Sequence, residues 1–329
     1  RDQPRSRGLG DVYKRQVIDE YSFRILPEQI KPQGQGQSGQ LSCQEKADVI
    51  EIQSVGGVFT VDKRNGLLSA AQGGNAVLLQ SPALMVLPLN GDGEGVQMVG
   101  KDQKFKPYNP VCENWIAQSV TCLPGDELIS IKVKGIYKEA EGIFEYRFHK
   151  NGEVTFVYDF TMLQDISPRQ TGLVFTLPSS FTHLDWKRKG YWSVYPEDHI
   201  GALTGQAEAF DASLPVSGLA GPSKQPVKSW SYDQTAAGSN MFRSTKENIY
   251  SARLKDGSGQ SVTVKSDGTQ YVRAWIEGDA IRLLVADYNN PGKENFLIPH
   301  AEKEYKPLRK GDKVQGKVCL LYTSDAADD

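Results

Sequence analysis

The chain reads as all-β, most simply two stacked antiparallel sheets, on three observations. Apolar side chains recur at every second position in several separate runs. A sustained helical period is absent, and 32 glycines and 17 prolines punctuate the 329 residues. Period-two alternation is what a strand with one buried face requires, because successive side chains point to opposite sides of the sheet.

Taken in order, residues 33–39 (Q-G-Q-G-Q-S-G) read as a flexible linker without apolar anchors. A domain boundary is expected there. Residues 59–69 (F-T-V-D-K-R-N-G-L-L-S) read as strand, Asn-Gly turn and strand. Residues 127–137, 143–149 and 154–161 are three alternating strands. The last two are joined across Lys150-Asn151-Gly152-Glu153, a strong hairpin signal. A strand at 261–265 is bracketed by Asp256-Gly257 and Asp267-Gly268. Two more, 272–275 and 280–286, lie across Glu277-Gly278-Asp279. The stretch 211–239, with Pro215, Pro222 and Pro226, is a long loop of the sort that tends to carry function.

Composition narrows the function. Hydrophobic residues at 39% and aromatics at 9% suffice for a core, so disorder throughout is excluded. A formal net charge of −2 with scattered Lys and Arg leaves no basic footprint for nucleic acid. The longest apolar stretch, 76–89, is broken by Gln80, Ser81, Pro82 and Pro88 and is too short to span a bilayer. A soluble protein of a bacterial cytoplasm or periplasm is expected, with the compartment open. Cys112 and Cys122 flank a strand-like run and could pair, while Cys43 and Cys319 stand apart. No C-x-x-C or His spacing points to zinc, and buried inert thiols are the default.

Residues 190–201 (G-Y-W-S-V-Y-P-E-D-H-I-G) carry the most chemistry. Tyr191, Trp192 and Tyr195 lie on a strand ended by Pro196, and Glu197, Asp198 and His199 follow on an exposed turn. Aromatic faces beside clustered carboxylates are how sugar-handling proteins stack a pyranose ring and hold its hydroxyls. The plain alternative is a core strand followed by a solvated turn. Trp192 and Tyr195, three residues apart, should face opposite sides, with Trp192 in the core and Tyr195 nearer the turn.

This stretch resembles the W-x-G-x-G-P-x-E-N-Y-x-D segment in the C-terminal β-sandwich of glycoside hydrolase family 2 β-galactosidases. Residues 59–69 resemble the opening of that domain. Residues 242–248 (F-R-S-T-K-E-N) resemble its F-x-x-P-x-E-N-G segment, with Thr245 where the family usually has proline. Residues 21–27 resemble the last strand of the preceding immunoglobulin-like domain. The likeness covers roughly residues 17 to 318. It implies a galactose-mutarotase-like super-sandwich of antiparallel sheets at 41–318, after a neighbouring-domain strand at 17–32 and a linker at 33–40. Residues 8–16 and 319–329 resemble translated sequencing-adapter read-through, so 1–16 and 319–329 are expected to lie outside the fold.

The resemblance also implies what is missing. Glycoside hydrolysis needs two carboxylates flanking the scissile bond, and in family 2 both come from a (β/α)8 barrel upstream. No catalytic residue is therefore expected here. The partner is that barrel, in the same gene or a large subunit, and the ligand is carbohydrate. Residues 87–95 (L-P-L-N-G-D-G-E-G) resemble the R-A-P-x-D-N-D loop bordering the sugar site, with Val86 in place of its arginine. Asn90, Asp92 and Glu94 then join Tyr195, Glu197, Asp198 and His199 as substrate-binding candidates. The alternatives for this loop are a solvated turn or a Ca²⁺ site, since carboxylates at every second position can converge on a hard cation. No cofactor is otherwise expected. Two other functions remain open. An aldose 1-epimerase-like mutarotase would draw its acid and base from His149, His183, His199 or His300. A non-catalytic carbohydrate-binding module would use Trp192, Trp186 or Trp230 as platforms, although Trp is more often core.

Overall fold

The computed structural model describes residues 40–72, 76–88, 111–190, 202–208, 245–289 and 306–324. These form sixteen strands, every pairing antiparallel. The first five are β1 (Ser42–Glu45), β2 (Val49–Ser54), β3 (Gly57–Asp62), β4 (Leu68–Gln72) and β5 (Ala76–Pro88). Then come β6 (Ile116–Leu123), β7 (Leu128–Ile136), β8 (Ala140–His149), β9 (Glu153–Met162) and β10 (Pro168–Pro178). The rest are β11 (His183–Arg188), β12 (Thr204–Glu208), β13 (Lys246–Lys255), β14 (Gln260–Glu277), β15 (Ala280–Asn289) and β16 (Lys313–Ser324). Hydrogen bonds connect them in one path, β1-β2-β3-β4-β5-β10-β15-β14-β16-β9-β8-β7-β6. β13 adds to β14, β11 to β13, and β12 to β11.

The path folds back so that its halves face each other, as two stacked sheets should. Phe59 of β3 meets Phe148 of β8 and Tyr322 of β16, at centroid distances of 5.1 and 5.3 Å. Phe156 of β9 meets Phe175 of β10 at 5.0 Å. Polar groups also cross the gap: Tyr146 Oη donates to Gly66 O at 2.9 Å, and Trp115 Nε1 to Asn65 O at 2.9 Å. Both carbonyls belong to the 59–69 turn, where Gly66 sits at φ 66° and a Cβ would overlap Val133. That turn is thus fixed by glycine on one side and by the opposite sheet on the other.

Alternation is obeyed most cleanly in β8 and β9, where Phe144, Tyr146, Phe148, Val154, Phe156, Tyr158 and Phe160 are all buried. Their hairpin closes as expected. Gly152 N–H donates to His149 O, Asn151 Oδ1 accepts from Glu153 N–H, and Gly152 takes φ 83°. The Asp256-Gly257 and Gly278-Asp279 turns also close hairpins, β13–β14 and β14–β15.

Three expectations are corrected. Asp267-Gly268 does not end a strand, because β14 runs straight through it. Asp267 Oδ1 accepts from the amide and hydroxyl of Thr269, forming a local loop that the strand carries as a bulge. Pairing with β13 steps from Ser251↔Lys265 to Ile249↔Gln270 across it. Residues 319–324 belong to β16, flanked by β9 and β14, with Leu320 0% and Tyr322 3% exposed. The apolar Cys-Leu-Leu-Tyr run alternates well enough to fill the open strand position there. Finally, the thiol facing Cys122 is that of Cys43, not Cys112, with the sulfurs 3.1 Å apart. Cys112 is buried beside Glu139, which accepts its backbone N–H at 3.0 Å. Burial pushes its thiol up to about 12. Residues 17–39 lie outside the described residues, and β1 opens just after them.

Candidate functional site

Strands β10, β15 and β14 lie side by side and have two buried faces. One carries Leu173, Phe175, Leu177, Ile281, Leu283, Val285, Val272 and Ala274 into the main core. The other holds a smaller apolar cluster of Val174, Trp275, Leu284 and Ala286, with Tyr271 packed against it. Around this cluster runs a chain of polar side chains.

At its buried end, Glu247 Oε1 accepts from Asn289 Nδ2 at 3.3 Å. Gln170 Nε2 donates to Asn289 Oδ1 at 2.8 Å, and Gln170 Oε1 accepts from Arg273 Nη2 at 3.1 Å. The Arg273 guanidinium lies 4.5 Å from the Trp275 ring centroid. Trp275 Nε1 then donates to Glu277 Oε2 at 2.9 Å. Arg282 closes the row, with Nη2 3.3 Å from Glu277 Oε1 and Nη1 donating to Thr176 Oγ1. Gln170 and Arg273 are each 2% exposed. A buried guanidinium is retained only where hydrogen bonds and ring faces offset its desolvation, and this row supplies both. On the main-core side, where it pairs with Val272, Lys246 is fully buried, its Nζ 4.8 Å from the Trp186 ring.

A bulge arranges the row. Pairing of β10 with β15 steps from Thr171↔Tyr288 to Gly172↔Ala286, leaving Asp287 as the extra residue. The insertion changes the parity of β15, so Asn289 falls on the face of Gln170 while Asp287 keeps to the core side. There Tyr158 Oη donates to Asp287 Oδ2 at 2.5 Å and Gln270 Nε2 to Asp287 Oδ1 at 2.8 Å. Gln270 Nε2 also reaches Lys317 O at 2.8 Å. This group fills the gap where β14, after pairing Lys265 with Cys319, diverges from β16. Burial raises the Asp287 carboxyl above the usual carboxylate range, against the opposing pull of the two donors, with Asp267 adding to the rise. Burial chiefly, and then Asp287, pushes the Tyr158 phenol well up. A Cβ on Gly316 would overlap both partners. The group is a structural plug.

Several described strands begin or end at the Gln170 end of this sheet. Residues 89–110 follow Pro88, which pairs with Pro168, and 290–305 follow Asn289. Residues 191–201 follow the Arg188↔Ile249 pair, and 209–244 lead into Lys246. The candidates Asn90, Asp92, Glu94, Tyr195, Glu197, Asp198 and His199 fall in two of these segments and lie outside the described residues, as do Trp192, Trp230 and His300. The calcium reading of 87–95 falls outside them too. Among the described residues no group of three or more His, Cys, Asp or Glu could hold a metal ion. Trp186 is core, 4% exposed, with Nε1 donating to Ala202 O. His149 contacts Thr155 Oγ1 at 3.2 Å, whereas His183 Nε2 lies 2.7 Å from Glu208 Oε1 on the β11–β12 pair.

Gln170, Arg273, Asn289 and Glu247 were not singled out from the sequence. Arg273 had a local signal: it stands between Tyr271 and Trp275 in a strand whose alternate positions, Val272 and Ala274, are apolar. Glu247 lies in the K-E-N stretch at 246–248.

No protein-family model matches the chain, and no curated protein matches it. Solved structures do. An α-mannosidase from Enterococcus faecalis V583 is 11% identical at a TM-score of 0.49, over 88% of this chain and 30% of its own. The chain thus spans less than a third of that enzyme. A galactose 1-epimerase from Lactobacillus acidophilus NCFM is 10% identical, TM-score 0.39, over 86% of this chain and 98% of its own. An aldose epimerase homologue from C. elegans is 12% identical, TM-score 0.39, over 86% and 99%. At these scores the likenesses assign no chemistry to this chain. No helix among the described residues is long and apolar enough to cross a membrane.

Proposed function

We propose that the chain is a carbohydrate-associated sandwich, the C-terminal part of a family 2, β-galactosidase-like glycoside hydrolase whose catalytic barrel lies elsewhere. The observation that carries this reading is the aromatic and polar row Glu247–Asn289–Gln170–Arg273–Trp275. Its members are buried or half-buried and bonded to one another, with Arg273 over the Trp275 ring, so the row supports this reading as a rigid brace at the end of the sheet and not as a set of free sugar contacts. The K-E-N motif falls at its end. In this reading the row braces a wall of the sugar site, and Asn90, Asp92, Glu94, Tyr195, Glu197, Asp198 and His199 meet the substrate. The chain shapes the site and supplies neither catalytic carboxylate.

A second reading is an aldose 1-epimerase-like mutarotase. The epimerase names among the similar structures stand nearer to it than to the hydrolase. The observation favouring it is the His183–Glu208 pair at 2.7 Å, an imidazole and carboxylate in contact.

Three assays on the purified chain separate the readings. Titration with galactose and lactose, read by calorimetry, should give weak binding. Aryl galactoside hydrolysis and galactose mutarotation, followed by nitrophenol release and polarimetry, should both match the uncatalysed rate. Mutarotation that is abolished by His183→Ala would establish the second reading. Absence of any sugar binding would sink both.

A further inference from the structure

We propose that Cys43 and Cys122 form an intramolecular cystine that locks together the two ends of the strand path. Cys43 lies on β1 and Cys122 on β6, the first and last strands of that path. Among the described residues each has a single strand partner, β2 for β1 and β7 for β6, so each is an edge of the described sheet. Edge strands with one neighbour are the first to separate when a sheet frays. The two sulfurs nevertheless face each other at 3.1 Å, across 79 residues of sequence.

Both cysteines are free thiols and half-buried, so a small reagent has access to the pair. A disulfide bond of about 2.05 Å requires the sulfurs to close by about 1 Å. The other two thiols are built differently. The Cys319 thiol hydrogen-bonds Glu153, and Cys112 is buried beside Glu139.

The oxidant is a low-molecular-weight disulfide such as oxidised glutathione. One protein thiolate attacks it, forming a mixed disulfide and expelling one glutathione thiolate. The second protein thiolate attacks the protein sulfur of that bond, forming Cys43–Cys122 and expelling the second glutathione. The protein loses two protons and two electrons, and the glutathione disulfide gains them as two thiols. Since the closed loop is long, the cystine restricts the unfolded chain strongly and stabilises the fold.

The test uses the full chain, reduced and then incubated with oxidised glutathione at mildly alkaline pH. Intact mass should fall by two hydrogens, and a non-reducing peptide map should join the peptides holding Cys43 and Cys122. The thermal midpoint should rise by ~5–10 °C over the reduced protein and return when reductant is added. Cys43→Ser and Cys122→Ser should each abolish the mass loss and the rise, and Cys112→Ser should keep both. Because the wild type serves as its own reduced control, the result does not depend on the variants folding. A cystine through Cys112 or Cys319, glutathione adducts alone, or a Cys43–Cys122 link that leaves the midpoint unchanged or lowered overturns the proposal.

Discussion

On one face of β10, Phe175 packs on Phe156 with no exposed area; on the other, Gln170 holds Arg273 and Asn289 together. β14 is divided in the same way, with Val272 and Ala274 in the main core and Arg273 and Trp275 opposite. The first face is non-directional: each side chain contributes by leaving water, and neighbours of similar volume could replace one another. The second is directional, since every buried donor needs its own acceptor and the loss of one member leaves another unsatisfied. A directional face is what recognition of a polar ligand needs, and it is also the face that a sequence pattern describes least.

The largest expected effect falls on the non-directional face. Ending the chain at Val318 removes Leu320 and Tyr322 from the core and β16's pairing with β14. A loss of at least about 4 kcal/mol is expected, a large part of a typical domain's stability. Urea unfolding followed by circular dichroism measures it. An unchanged midpoint would mean that residues 319–324 do not belong to the core.

Within β10 the two faces can be compared directly. Phe175→Ala should cost about 3–5 kcal/mol through the cavity it leaves. Gln170→Ala should cost about 1–3 kcal/mol, because Arg273 and Asn289 each lose a partner. The distinguishing observation is coupling. Arg273→Leu made alongside Gln170→Ala should cost less than the sum of the single changes, whereas Phe175→Ala should add to Arg273→Leu independently. Strict additivity in both double-mutant cycles would remove the distinction between the faces.

What the sequence revealed follows the same division. The β8–β9 hairpin was legible because Asn151 and Gly152 form the turn with their own atoms, and the β9 alternation needs only a buried face. Asp267-Gly268 was misread because the same kind of dipeptide forms the same kind of local loop in mid-strand. Whether it ends the strand depends on β13 resuming its pairing at Gln270, which is nonlocal information. The row Gln170, Glu247, Arg273 and Asn289 comes from four strands and needs a bulge at Asp287 to bring the last member into place. No window of sequence contains it. Cys43 and Cys122 were equally hidden, since only the folded path brings its ends together.

Asp287 tests the boundary between the faces through pH. Its carboxyl is raised by burial, so the folded protein binds that proton more tightly than the unfolded chain does. The stabilisation is fully present below the ordinary value of 3.8 and is lost as pH rises through the higher folded value. Asp287→Asn should remove this dependence. The urea midpoint of the wild type, relative to the variant, should therefore fall with rising pH across that window. Parallel profiles would show that Tyr158 and Gln270 offset the burial fully.

The smallest effect is expected at the outer end of the row. Glu277 is half exposed, at 50% of its side chain, and accepts from Trp275 Nε1 and Arg282. Water competes for both contacts, so the pair is screened and the net contribution of such an ion pair is slight. Glu277→Gln keeps one acceptor oxygen for the Trp275 indole and gives up the charge facing Arg282. The expected cost is about 0.5 kcal/mol, shrinking further in 0.5 M salt, read from urea midpoints at two ionic strengths. Gln170→Ala, at the buried end of the same row, should show no such salt dependence, because its contacts are neutral on one side and removed from the ions. If Glu277→Gln instead costs as much as Gln170→Ala, the row acts as one cooperative unit from end to end. Its exposed rim would then contribute to the fold as much as its buried centre.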